Sequence, residues 1–353
     1  PKQVIVNLEP LTLIGAPPSP YTRKMIALMR YRHIPYNIIW GDPQSLLSGE
    51  FKNLGIDPPK PVLLPTFILP DEKGILKAET DSTPLIRRFE VEYEDRKCLP
   101  GDPALNFLNF LLEDFADEWV TKFMFHYRWH FNEDADNAGT LLPLAQTTNL
   151  PDEIHQSAKK YISERQIERL RVVGSNDTTA PIIEASYKRF LSILEKHFKN
   201  SPFLLGQRAS SADFGLYGQL SQLIGFDPTS RKIAHDLSPR TVAWINVIED
   251  LSGLEITEEG WTKLEELPES IFDLLNEVGR GYVPALLTNK AAHEKGEKTW
   301  EAEIDGCPWV QQTFPYQSKC LKWINEEYLK LDEMDRSRID NVLKDTGCEK
   351  LFL

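Results

Sequence analysis

Residues Gly15 to Trp40 read GAPPSPYTRKMIALMRYRHIPYNIIW, with three prolines ahead of a helical pattern and a second apolar run behind it. Leu11 to Gly15, just upstream, has the character of a short strand, which Ala16-Pro17-Pro18 cannot extend because proline lacks the N–H that a β-ladder needs. Ser19 has the chemistry of a helix N-cap and Pro20 that of the first helical residue. Met25, Leu28, Met29 and Arg32 then recur at helical intervals, which gives the helix one mainly apolar face. After His33-Ile34-Pro35, Tyr36 to Trp40 is β-prone. The whole is a β-α-β unit with enough chain for a crossover, so its two strands are expected to be parallel.

Downstream, residues 41–61 are turn-rich, and PVLLPTFILPDEKGILKAE reads as two apolar runs joined by Pro70-Asp71-Glu72-Lys73-Gly74, a β-hairpin. Pro65 conflicts with a strand start unless the Leu64–Pro65 bond is cis. ETDSTPLIRRFEVEY then opens a second helix, with Asp81, Ser82 and Thr83 as cap-type residues and Leu85, Ile86 and Phe89 on its apolar face. The N-terminal QVIVNL is an optional extra strand. From Asp102 onward aromatic and aliphatic residues fall at three- and four-residue spacing, so this half is expected to be helical. Helices are expected at Asp152 to Arg171, Pro181 to Phe198, Ser211 to Leu223 and Pro239 to Leu251. In the last hundred residues two or three helices are expected around an irregular piece bearing Trp and Pro.

A length of 353 residues suits two domains. The formal net charge of -13 opposes unspecific attraction to phosphate backbones, so nucleic acid is not an expected partner. No apolar run approaches the roughly 20 residues of a membrane helix. The first residues lack the pattern of a secretory signal, so a cytoplasmic location is the default expectation. Cys98, Cys307, Cys320 and Cys348 are too scattered for a redox pair or a zinc site.

Three separated motifs together resemble the cytosolic glutathione transferases. Ser19-Pro20-Tyr21-Thr22 is similar to the CPYC helix start of glutaredoxins, with Ser for the leading Cys; Leu64-Pro65 stands where that fold keeps a cis-proline; and Asp81-Ser82 is similar to the acidic-Ser pair that holds the γ-glutamyl end of glutathione. A fourth signature, FLLGQRASSADFGLYGQL, carries a Ser210 to Asp213 capping box typical of the family's helical domain. The resemblance covers residues 10 to about 250. It implies an α/β thioredoxin-like domain over 1–97 and an all-α domain over 98–353, with an extension from about 251. It also implies glutathione as co-substrate, no metal, and a homodimer.

Glutathione's thiol is mostly protonated at neutral pH, and an enzyme that uses it must favour the thiolate. A helix N-terminus carries roughly half a positive charge, to which Ser19 adds an O–H donor, so Ser19 is expected to stabilise the thiolate. Tyr21 or Arg23 is a candidate for a second donor or positive field; the backbone of Leu64 beside Pro65, the Asp81 carboxylate and Ser82 would hold the rest of the tripeptide. With no Cys at 19 or 22, conjugation to an apolar electrophile is expected over disulfide exchange. Trp119, Phe123, Tyr127 and His130 share one helical face; Phe123, Tyr127 and His130 are candidates to border the electrophile pocket, although such a stripe is also how a core is built. The alternative function is a transferase-fold protein that binds partners without catalysis, with Trp300, Trp309, Phe314, Tyr316 and Trp323 covering the pocket or building an interface; packed onto the helical domain, the preferred reading, they are additional core.

Overall fold

A computed structural model describes residues 10–352, so the expected extra strand at QVIVNL lies outside the described residues. The first unit runs β1 (Leu11–Gly15), α1 (Pro20–Arg32), β2 (Tyr36–Trp40), a short α2 (Pro43–Ser48), β3 (Thr66–Pro70), β4 (Leu76–Glu79) and α3 (Ser82–Glu92). The sheet order is β2-β1-β3-β4, with β1 and β2 parallel and β3 antiparallel to both β1 and β4. Side chains alternate across a strand, and β1 shows the consequence. Leu11 and Leu13 join the main core with Met25, Met29, Phe67 and Phe89 of the facing helices and sheet, while Ile14 turns to a smaller cluster with Leu47, Ile56 and Ile68. Each such side chain contributes about 2 kcal/mol when fully buried.

The helical part runs α4 (Pro103–Phe115), a wider π-type turn (Ala116–Val120), α5 (Thr121–Trp129), α6 (Asn132–Leu144), α7 (Asp152–Glu168), α8 (Leu170–Val173), α9 (Ala180–His197), α10 (Ser211–Gly225), α11 (Pro228–Leu237) and α12 (Pro239–Ile248). α10 is its axis. Its capping box is complete: the Ser210 backbone N–H donates to Asp213 Oδ2 at 2.9 Å and the Asp213 N–H donates to Ser210 Oγ at 3.4 Å, while Leu204 N–H donates to Asp213 Oδ1 at 2.9 Å. α10 packs directly on α1, so closely that a Cβ on Gly218 would lie 2.4 Å from the Pro20 carbonyl oxygen. The domain contact therefore abuts the start of α1.

The extension carries α13 (Glu269–Glu277), a second π-type turn (Val278–Tyr282), α14 (Val283–Glu294), β5 (Thr299–Ile304), β6 (Cys307–Gln312), α15 (Pro315–Lys330) and α16 (Glu333–Leu343). The expected irregular piece is a β-hairpin. Ile304 pairs with Cys307 across Asp305-Gly306, whose positive φ values of 54° and 72° are those of a tight two-residue turn. Exposed Thr299, Glu301 and Glu303 alternate with buried Trp300, half-buried Ala302 and buried Ile304 in β5, and Trp309 and Gln311 are the buried pair of β6, which is the period of two of a strand. The extension also covers α4: Phe107 meets Tyr328 and Phe352 edge-on, both with centroids 5.8 Å away, and Arg338 pairs with Asp102 at 2.7 Å.

Candidate functional site

The loop before α1 ends at Ser19, whose Oγ accepts the Thr22 N–H at 3.2 Å as an N-cap. The Ser19 proton has no acceptor among the described residues, so the hydroxyl retains a donor at the positive end of the helix. The preceding loop is fixed from both sides. Arg23 Nε donates to the Pro17 carbonyl at 2.8 Å, and the buried Arg128 of α5 donates to the Pro18 carbonyl at 2.9 Å while pairing with Asp227 at 3.0 Å.

The Leu64–Pro65 bond is cis, as the strand start required. Asp81 and Ser82 open α3 in an unusual way. Asp81 has φ 78° and ψ 106°, a conformation that costs a non-glycine residue about 1–3 kcal/mol and that clusters at ligand sites. It caps nothing: no side-chain bond joins its carboxylate to the helix it precedes, although Asp is among the best N-caps. Oδ2 instead accepts the Tyr316 hydroxyl at 3.0 Å.

Ser82 Oγ accepts from the ammonium of Lys24 at 2.9 Å, a contact with no warning in the sequence. Lys24 is fully buried, and its Nζ also reaches Asp117 Oδ2 at 2.7 Å and Glu113 Oε2 at 3.6 Å. Arg87 completes a cluster of two cations and two carboxylates by pairing with Glu113 at 2.7 Å. Burial alone would depress the lysine, but Asp117 and Glu113 outweigh it and hold Lys24 above its ordinary range. Burial pushes Asp117 up despite Lys24; at Glu113 the same burial is overcome by Arg87 and Lys24, which hold it down. Asp117 and Glu118 lie in the π-type turn and part company there. Asp117 serves α1 and Glu118 serves α15, accepting from Gln317 Nε2 at 3.2 Å. A pair of carboxylates inside the aromatic run FADEWV was the available sign that buried cations must lie opposite.

Two expectations need correction. The Tyr21 hydroxyl is not a free second donor: it donates to the Asp117 carbonyl at 2.6 Å, because this side of the first helical turn meets the helical domain. The stripe expected at a pocket is core. Phe123 stacks on Tyr187 at 5.7 Å, Tyr127 meets the same ring edge-on at 5.0 Å, and both are enclosed. His130 is half-buried and stacks on His126 at 4.5 Å. Trp119, at the head of the stripe, stacks on Trp309 of the hairpin at 5.5 Å. The extension thus meets the head of the stripe at Trp119, whereas Phe123 and Tyr127 are covered by Tyr187 of α9.

The N-terminal glutathione S-transferase domain model matches residues 13–97, and the C-terminal glutathione S-transferase domain model matches residues 172–255. The chain belongs to the glutathione S-transferase superfamily. The N-terminal match of this superfamily member contains Ser19, Leu64-Pro65 and Asp81-Ser82, whereas the first π-type turn and the extension from α13 onward, a C-terminal strap, lie outside both matches. Solved structures similar to it include a GST-like protein from Pseudomonas syringae (15% identity, 68% of this chain and 67% of that one, TM-score 0.43). Beta-etherase LigF from Sphingobium sp. strain SYK-6 is similar at 17% identity over 68% of this chain and 94% of that one (TM-score 0.46). A glutathione transferase family member from Pseudomonas fluorescens Pf-5, solved with two glutathione bound, is similar at 16% identity over 71% and 96% (TM-score 0.44). No curated protein matches the sequence of this superfamily member.

Proposed function

We propose that the protein binds glutathione at the start of α1 and α3, stabilises its thiolate with the Ser19 hydroxyl, and adds it to an apolar electrophile. The observation that carries this reading is Asp81: a strained, non-capping carboxylate beside Ser82, at the N-terminus of α3 and within the N-terminal family match. Asp81 would take the α-ammonium of the γ-glutamyl group; the Ser82 hydroxyl and the helix N-terminus, with the Lys24 charge behind them, would take its carboxylate. The backbone of Leu64, next to Pro65, would pair with the cysteinyl residue. Ser19 would donate to the sulfur, where the helix dipole also favours negative charge.

The second reading, a glutathione-binding protein without turnover, draws on the buried stripe of Phe123 and Tyr127 and on the strap that meets Asp81. A thermal-shift titration with glutathione and an S-alkyl analogue, paired with an assay of glutathione conjugation to an apolar electrophile, on wild type and Ser19→Ala, separates the two. Ligand at a hundred times its Kd raises stability by about 2.7 kcal/mol. Absence of any shift with either ligand would sink the glutathione reading. Binding with turnover in wild type, and binding without turnover in Ser19→Ala, assigns Ser19 to the thiolate; binding without turnover in both selects the second reading.

A further inference from the structure

Tyr316 belongs to no part of the thioredoxin-like domain, yet it makes the one hydrogen bond that the Asp81 side chain forms with a described residue. It is delivered there by a rigid mount. Immediately upstream, Phe314 N–H donates to Asn289 Oδ1 at 2.8 Å while Asn289 Nδ2 donates back to the Phe314 carbonyl at 2.9 Å. Asn289 is fully buried and also accepts Trp300 Nε1 at 3.2 Å. Immediately downstream, the buried Gln317 donates to the Glu118 carbonyl at 3.3 Å and to its carboxylate. The ring itself lies between Phe314 and Trp323, at 5.9 and 6.3 Å. The hydroxyl thus reaches Asp81 from a position fixed on both flanks.

The default behaviour of an aspartate before a helix is to fold back and accept a backbone N–H of the first turn. Were Asp81 to do so, one carboxylate oxygen and one α3 N–H group would satisfy one another and be lost to a ligand. The hydroxyl of Tyr316 holds Oδ2 away from the helix, leaving Oδ1 and the helix N-terminus uncommitted. Resting on the glutathione reading above, we propose that Tyr316 is a positioning residue for the ligand's α-ammonium: the extension sets the Asp81 carboxylate and so makes the site selective for a γ-glutamyl head that keeps its amino group.

Binding is measured by calorimetry with glutathione and with its analogue lacking the α-amino group, on wild type, Tyr316→Phe and Asp81→Asn. Wild type prefers glutathione; Tyr316→Phe loses about tenfold of glutathione affinity, the worth of one hydrogen bond to a charged group, and binds the des-amino analogue as wild type does. Asp81→Asn keeps an acceptor for Tyr316 but loses the charge, and so loses the preference with the strap in place. A general loosening of the strap would weaken both ligands alike, leaving their ratio unchanged, and would overturn the proposal. So would tighter glutathione binding by Tyr316→Phe, which would show the hydroxyl competing for Asp81. If wild type binds neither ligand, the glutathione reading falls and takes this role with it. If wild type binds both and the ratio survives in Tyr316→Phe, only this role falls.

Discussion

Replacing Lys24 with methionine keeps the side-chain stem and removes the ammonium that joins the two domains. In the native protein the cluster is neutral, with Lys24 and Arg87 against Glu113 and Asp117. Without Lys24, Arg87 still satisfies Glu113, but Asp117 keeps only Thr83 Oγ1, at 3.3 Å, and its Oδ1 has no partner at all. Breaking a buried pair by removing one partner costs about 3–5 kcal/mol. The cost depends on pH in a definite direction. Burial already raises Asp117, and loss of Lys24 removes the strongest opposing pull, so its folded pKa rises further above the unfolded one. A group raised in this way loses stability as pH rises through the folded value, because the folded state must ionise a carboxylate it prefers protonated. Urea unfolding followed by tryptophan fluorescence should therefore show Lys24→Met destabilised by about 3–5 kcal/mol at pH 8 and by clearly less at pH 5. Lys24→Met/Asp117→Asn should cost less than the sum of the single changes, since the second change removes the stranded charge. A loss below about 1 kcal/mol at pH 8, or strict additivity, would refute the electrostatic reasoning.

Lys122, buried beside the stacked rings of Trp119 and Trp309, donates to the Val173 carbonyl at 3.0 Å and to Gln311 Oε1 at 3.2 Å; burial, partly offset by Glu118, brings it down to about 7. Between that value and its ordinary 10.5 the unfolded state holds more protons, so this lysine costs stability that returns as pH rises. Lys122→Met should stabilise the protein at pH 7 by about 3 kcal/mol, an upper limit of about 5 less two lost hydrogen bonds, with the gain gone near pH 10. Melting curves across that range check it. Gly279→Ala would set a Cβ 1.9 Å from the Thr346 carbonyl oxygen and should cost about 3 kcal/mol, whereas Gly101→Ala, with nothing within 4 Å, should be silent in the same denaturation assay. Ser19→Ala should lower stability by about 1 kcal/mol through the lost N-cap, measured without ligand and separately from any effect on turnover.

The thioredoxin-like unit was legible because its signals are local. Proline before the Ser19 cap, the short apolar run of β1 and the turn after Pro70 each state their conformation within a few residues. The Ser210 to Asp213 box did the same for α10. The hairpin of the extension carried an equally local sign, Asp305-Gly306 between alternating residues, which the surrounding tryptophans and Pro308 obscured. What could not be read is non-local. Nothing near Lys24 says that its charge meets residues 58 and 93 positions away. Nothing near Tyr316 says that it ends on Asp81, 235 positions upstream. The stripe at Phe123 and Tyr127 was correctly a helix face, but periodicity reports that a face is apolar and not what covers it.

The most direct measurement is a pH titration of the ultraviolet thiolate absorbance of glutathione bound to wild type and to Ser19→Ala. A thiol beside a helix N-terminus and a hydroxyl donor should ionise well below the free value of about 8.5, and Ser19→Ala should bring it part of the way back. A bound thiol that titrates as the free one does, or a lowered value that Ser19→Ala leaves unchanged, would contradict the role given to Ser19.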